Sequence, residues 1–336
     1  MDIPYLDPQE QHFLVPGPDA SLNLFLRYLA ASQNAAGPSG IVLYVHGASF
    51  PSALSIAHRF DQRSWRDELN AAGFDVWGLD FQGFGFSDRY PAMNLAAAPG
   101  PGLCNSADAA EQIRCAVHFI LAHQAAPRLS IIAHSWGSMP TCHFAGVHPT
   151  LVDRLVLFAP IAQRGPPRTE GVLSATAWNE VTIENQWKRF VEDVPSDVAS
   201  VLSQDHFDDW AKDYLDSDPD SRTRDPASVK VPAGPTNDIL RAWHGQLAYD
   251  PALVRAPIAL IRGEWDGLLP DQDARWLFDA FTASPIRRDI KISHGTHLMH
   301  LEMMRYALYR ESINFLLADD LPPDRPLKPD NNQRIL

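Results

Sequence analysis

Ser135 is the residue of this 336-residue chain best placed for nucleophilic chemistry. It stands in Ala133-His134-Ser135-Trp136-Gly137, between an apolar run at 129–132 and a helical pattern at 138–147. A strand that turns sharply into a helix can push a serine hydroxyl out at the strand end only if the residues two before and two after it are small. Ala133 and Gly137 meet that demand. The same turn puts the Trp136 N–H at a helix start, where it has no intrahelical acceptor and can face developing negative charge.

A serine hydroxyl is a poor nucleophile at neutral pH, so this turn requires an imidazole and a carboxylate to orient it. Asp266 follows the apolar run 258–261 on the loop Gly263-Glu264-Trp265-Asp266-Gly267 and is the expected acid, with Glu264 as competitor nearer the strand end. After the last apolar run, 289–292, comes His294-Gly295-Thr296-His297-Leu298-Met299-His300. His297, behind a flexible Gly-Thr pair, is the expected base; His294 and His300 are read as structural. Their three-residue spacing also fits metal ligation, but the Glu of H-E-x-x-H is missing and serine chemistry needs no ion, so no metal is expected.

A second oxyanion donor should come from His46-Gly47-Ala48-Ser49-Phe50, after the run 41–45. Gly47 permits close backbone approach, which makes the Ala48 N–H the natural partner of the Trp136 N–H. His46 reads as a brace for the loop. Ser49 and Phe50 are candidate substrate contacts, together with Trp178, Trp187 and Trp243 from a later segment. The glycine-spaced loop from Asp80 to Asp88 is no phosphate cradle, since it lacks the lysine and the G-x-G-x-x-G register.

These loops need strands to carry them. Runs at 12–15 and 22–29, separated by Pro16-Gly17-Pro18-Asp19, read as an opening hairpin. Short apolar runs at 41–45, 75–79, 129–132, 154–158, 258–261 and 289–292 then alternate with helical patterns at 64–72, 106–122, 138–147, 271–281 and 300–317. Strands too uniformly apolar to have a wet face imply a mainly parallel sheet covered on both sides. Residues 162–251 break the rhythm and are expected to form a helical cap, with helices at 182–191, 198–214 and 237–248. The core is then 1–161 with 252–318, followed by an extended tail at 319–336.

Composition narrows the class. The 45% apolar content is that of an ordinary globule, and a net charge of −13 without a Lys/Arg cluster argues against nucleic-acid partners and highly anionic substrates. Three cysteines without C-x-x-C spacing indicate neither a disulfide framework nor a zinc site. With no signal-like start and no membrane-length apolar run, a cytoplasmic protein without a membrane partner is expected.

Taken as a set, the His46-Gly47 loop, the Asp80–Asp88 loop, the Ser135 turn, Gly263-Glu264-Trp265-Asp266 and Gly295-Thr296-His297 resemble the α/β-hydrolase superfamily, and the order Ser, Asp, His agrees. The likeness spans about residues 10 to 318. It implies an eight-stranded, mostly parallel sheet, a cap after the sixth strand and no cofactor. Ser135-Trp136-Gly137-Ser138 is similar to proline iminopeptidases, whereas Gly47-Ala48-Ser49-Phe50-Pro51 replaces the HGGPG-like loop of that branch. The expected activity is hydrolysis of a carboxylic ester or lactone of a bulky, largely neutral small molecule through an acyl-enzyme. Alternatives are an amidase or aminopeptidase, with Glu180, Glu184, Glu192 and Asp193 as ammonium ligands, a C–C hydrolase, or a binding protein without catalysis.

Overall fold

The computed structural model describes residues 7–35, 37–96, 99–165, 173–174 and 176–319. Its strands are β1 (Gln11–Pro16), β2 (Asn23–Leu29), β3 (Gly40–Val45), β4 (Phe74–Asp80), β5 (Leu129–His134), β6 (Val152–Phe158), β7 (Trp178–Thr182), β8 (Ser228–Pro232), β9 (Ile258–Gly263) and β10 (Arg287–Ile292). Its α-helices are α1 (Trp65–Ala71), α2 (Ser106–His123), α3 (Ser138–Val147), α4 (Ile183–Val191), α5 (Gln204–Asp216), α6 (Gly234–Trp243), α7 (Asp271–Ala280) and α8 (Arg305–Leu316). Eight strands form one sheet in the order β1-β2-β4-β3-β5-β6-β9-β10. From β4 to β10 neighbours run parallel, and only the β1–β2 hairpin joins by antiparallel pairing.

Burial explains the parallel core. Every position of β5 and β9 is buried, as a sheet with helices on both faces requires. Adjacent residues divide between two apolar layers: Leu43 and Ile131 pack with α2 and α3, while Val42 and Ile132 pack with Trp65 of α1 and Leu308 of α8. Helix starts follow side-chain chemistry. Ser64 caps α1 in a reciprocal box with Asp67, and Asn105 caps α2.

Several expectations shift, among them the helix expected at 237–248, which spans Gly234–Trp243. The helix expected from 300 begins at Arg305, because the chain around Glu302 is extended and its carboxylate turns back to the Thr296 N–H. The insertion between β6 and β9 is not purely helical either. It holds α4, α5 and α6, but also an antiparallel ribbon in which β7 pairs with β8, Trp178 opposite Pro232. The segment 198–203 precedes α5, since the Ser203 hydroxyl accepts from the His206 N–H and starts the helix there. The expected tail lies, beyond Asp319, outside the described residues. Among the described residues no helix is long and apolar enough to cross a membrane.

Candidate active site

Parallel strands end on the same edge, and the loops after β3, β5, β9 and β10 meet there. Ser135 has φ of 54°, a left-handed conformation that a serine keeps only where its surroundings enforce it, at a cost of about 1–3 kcal/mol. Gly137 shows why its small size matters: a Cβ there would lie 2.3 Å from the His46 carbonyl oxygen. The loop after β3 also abuts the serine, since a Cβ on Gly47 would stand 3.2 Å from Ser135 Cβ. We expect Gly137→Ala to push these backbones apart and lower stability by about 1–3 kcal/mol while impairing turnover. Thermal unfolding and a rate assay on the same preparation check this; unchanged values for both would contradict the tight approach.

The three residues expected to act together do meet. His297 Nε2 lies 2.7 Å from Ser135 Oγ, and His297 Nδ1 lies 2.9 Å from Asp266 Oδ1. The same Asp266 oxygen accepts from the Leu268 and Leu269 amides at 3.0 and 3.1 Å. Burial works against ionisation of Asp266, but the imidazole and these amides outweigh it and hold the carboxyl below its ordinary range. Glu264 plays a different part: its carboxylate accepts from the His294 N–H at 3.1 Å and ties the loop after β9 to the loop after β10. His294 is exposed beside Trp265, and His300 is buried against Phe50 and Phe158. Burial pushes His300 down to about 3, which keeps it neutral.

A cavity of about 290 Å³ opens on Ser135 and His297, with Ala48, Ser49, Phe50 and Trp243 in its wall. The rest of its wall is largely apolar, from Ile239 and Leu240 of α6 and from Leu268 and Leu298 of the loops after β9 and β10, with Gln186 and Arg189 of α4 as polar members. Trp178 and Trp187, also expected as contacts, lie elsewhere. The Trp178 indole donates to the Ala92 carbonyl at 3.0 Å and borders a separate, more open depression at the β7–β8 ribbon. Trp187 packs on Phe207 of α5, with ring centroids 4.8 Å apart. None of Glu180, Glu184, Glu192 or Asp193 lines the cavity; Glu180 meets Ser228, and Glu192 and Asp193 hold Arg189.

Residues 40–303 match the family described as the alpha/beta hydrolase fold. The chain belongs to the α/β-hydrolase family. No curated protein sequence matches it significantly. Among solved structures it resembles the thioesterase domain from the curacin biosynthetic pathway, at TM-score 0.59 and 15% identity over 92% of this chain and 99% of that one. It also resembles the meta-cleavage product hydrolase from Pseudomonas fluorescens IP01, at TM-score 0.59 and 16% identity over 90% and 96%. A serine hydrolase from a polyaromatic-hydrocarbon-degrading Cycloclasticus bacterium aligns at TM-score 0.54 and 18% identity over 91% and 97%. At these identities the likeness is one of fold.

This α/β hydrolase braces its site with residues that carry no motif. His46 bridges the Gly47 carbonyl at 2.7 Å and the Phe81 N–H at 3.1 Å, fixing the loop that bears Ala48 to the end of β4. Buried Glu302, its carboxyl pushed up to about 7 by burial, accepts from both the hydroxyl and the N–H of Thr296 and so holds the turn before His297. Asp238 of α6 accepts from the Trp136 indole at 3.0 Å and from the Ser106 N–H at 2.6 Å, both on one oxygen. It thereby links the insertion, the residue after Ser135 and the start of α2. Sequence offered one faint signal for it, a carboxylate among the apolar positions of an amphipathic helix.

Burial raises the Asp238 carboxyl to about 6 from its ordinary value of 3.8. The fold therefore favours the protonated form, and this preference is lost as pH rises from about 4 through about 6. Asp238→Asn keeps an acceptor and cannot ionise. Its stability relative to the parent should climb across that window, by about 3 kcal/mol at most, and then level off. Asp238→Ala, which strands two buried donors, should be the less stable variant throughout. Unfolding curves of parent and Asn variant that stay parallel from pH 4 to 8 would refute this.

Proposed function

We propose that the protein is a serine hydrolase that cleaves a carboxylic ester or lactone of a largely neutral small molecule through an acyl-enzyme. The observation that carries this reading is the hydrogen-bonded series Ser135–His297–Asp266, at 2.7 and 2.9 Å, opening on an apolar cavity. In the proposed reaction Ser135 Oγ attacks the carbonyl carbon as its proton passes to His297 Nε2. Asp266 stabilises the imidazolium and fixes its ring. The C–O bond breaks as His297 returns the proton to the leaving oxygen, and water, deprotonated by the same imidazole, then releases the acid. The Ala48 and Trp136 amides are the proposed oxyanion donors, each contributing about 3 kcal/mol to lowering the barrier.

Size and polarity of the wall refine the substrate. About 290 Å³ is close to the lower end of small-molecule pockets, and of the described insertion aromatics expected to favour a bulky group, Trp243 lines it. Those aromatics mostly pack among themselves: Phe190, Phe207 and Trp210 fill the space between α4 and α5. An aminopeptidase reading is less well supported, because among the described residues no aspartate or glutamate lines the cavity to receive an ammonium group. The thioesterase and the C–C hydrolase among the structural neighbours mark the other bonds worth assaying. A cytoplasmic location and a small-molecule partner belong to the same proposal.

The test is a comparison of aryl esters, acyl thioesters, amino-acid amides and vinylogous diketones, with a fluorophosphonate probe as an activity-independent check. Ester turnover and covalent labelling of Ser135 are the expected results. A folded protein that turns over none of these and resists the probe would instead be a binding protein on a hydrolase scaffold.

A further inference from the structure

The wall of the cavity contains more hydrogen-bond donors than the protein satisfies. Arg189 of α4 uses Nη1 on Glu192 at 2.6 Å and on Asp193 at 3.3 Å, but its Nη2 is buried and has no acceptor among the described residues. Gln186, one turn earlier on the same helix, is 1% exposed and its amide is turned to the Tyr214 hydroxyl, so it is engaged within the protein. On the facing helix α6, the Trp243 Nε1–H, like Arg189 Nη2, is buried without an acceptor among the described residues. All three side chains line the cavity that opens on Ser135. A buried N–H without an acceptor is costly, and native structures rarely leave two together unless something else supplies the oxygen.

From this we infer that the cavity is a subsite for a neutral carbonyl oxygen, a keto, amide or second ester group of the substrate, received by Arg189 and Trp243. The inference rests on the acyl-transfer reading and deepens it. Charge decides between a carbonyl and a carboxylate. The Arg189 guanidinium is already compensated by Glu192 and Asp193, and Asp266 adds a further buried negative charge beside His297. A carboxylate would enter a region whose positive charge is spent, whereas a carbonyl needs only N–H groups. One of the two donors, the indole, is itself neutral. The apolar surfaces of Ile239, Leu240 and Leu298 suit the hydrocarbon between the two carbonyls.

The experiment compares kcat/KM for p-nitrophenyl alkanoates with p-nitrophenyl oxoalkanoates carrying the keto group at successive positions, and with p-nitrophenyl monoesters of dicarboxylic acids. The parent protein should prefer its best oxo-ester over the hydrocarbon analogue by about tenfold or more, and should not favour the carboxylate-bearing ester. Trp243→Phe, which removes the N–H and keeps a ring, and Arg189→Met should each lower the oxo-to-hydrocarbon ratio severalfold. Trp243→Phe alone suffices if the arginine variant does not fold. Glu192→Gln, which frees positive charge, should raise the rate on the carboxylate-bearing ester relative to the oxo-ester. Hydrolysis of plain esters with an oxo-to-hydrocarbon ratio near one, or a ratio untouched by both variants, or a parent preference for the carboxylate, overturns the inference and leaves the hydrolase reading standing. Failure to turn over any ester removes the acyl-transfer reading and this subsite with it.

Discussion

Replacing Ser135 by alanine should leave a folded protein whose ester turnover is lower by about a millionfold, a loss comparable to removing the whole catalytic set. The hydroxyl is the only atom deleted, and the alanine retains the left-handed backbone at φ of 54°, so the strain of the turn remains and the thermal midpoint should move little. Fluorophosphonate labelling should vanish with the activity. His297 Nε2 sits 2.7 Å from the oxygen that is removed, so the imidazole loses the hydroxyl whose proton it would take. Mass spectrometry after probe treatment, beside a rate assay and a melting curve, reads all three effects. A folded Ser135→Ala protein with parental turnover would end the acyl-enzyme proposal.

Asp266→Asn should cost about four orders of magnitude in kcat with little change in KM. Asp266 Oδ1 accepts from His297 Nδ1 and from two backbone amides, so the asparagine carbonyl can occupy the same place and keep the loop in shape. What disappears is the negative charge that stabilises an imidazolium in a buried site. The buried position now taken by Asp266 Oδ2, which has no partner among the described residues, would receive an amide nitrogen, adding a modest stability loss. Steady-state kinetics separates the two readings. A kcat drop below tenfold would show that Asp266 only supports the loop, and Glu264→Gln should by contrast leave kcat within a fewfold, since Glu264 braces His294 instead of facing the imidazole.

The meeting of the three residues proposed as the catalytic set was legible because each depends on a local cue. Small residues around Ser135 announce a sharp turn, and Asp266 and His297 follow apolar runs directly, so a parallel sheet must deliver them to one edge. The His46 brace could be read the same way, since it closes onto its neighbour Gly47. Contacts made at long range were not legible. Trp178 and Trp243 look equally suited to a substrate wall, yet pairing of β7 with β8 turns the first toward Ala92, and α6 brings the second over Ser135. Neither five-residue strand of that ribbon has an apolar run, and each is defined only by a partner about fifty residues away.

By itself, then, the order of residues determined the alternation of strands and helices, the strained turn at Ser135 and the identity of its two polar partners, because periodicity and turn chemistry act over a few neighbouring positions. Tertiary structure alone decided which insertion residues wall the cavity, that Asp238 anchors Trp136, that Glu302 holds the His297 turn, and that the Arg189 and Trp243 donors at the cavity lack acceptors among the described residues. Those outcomes depend on how helices pack across tens of residues, where many side chains of the same type compete for each contact and only the assembled core selects among them.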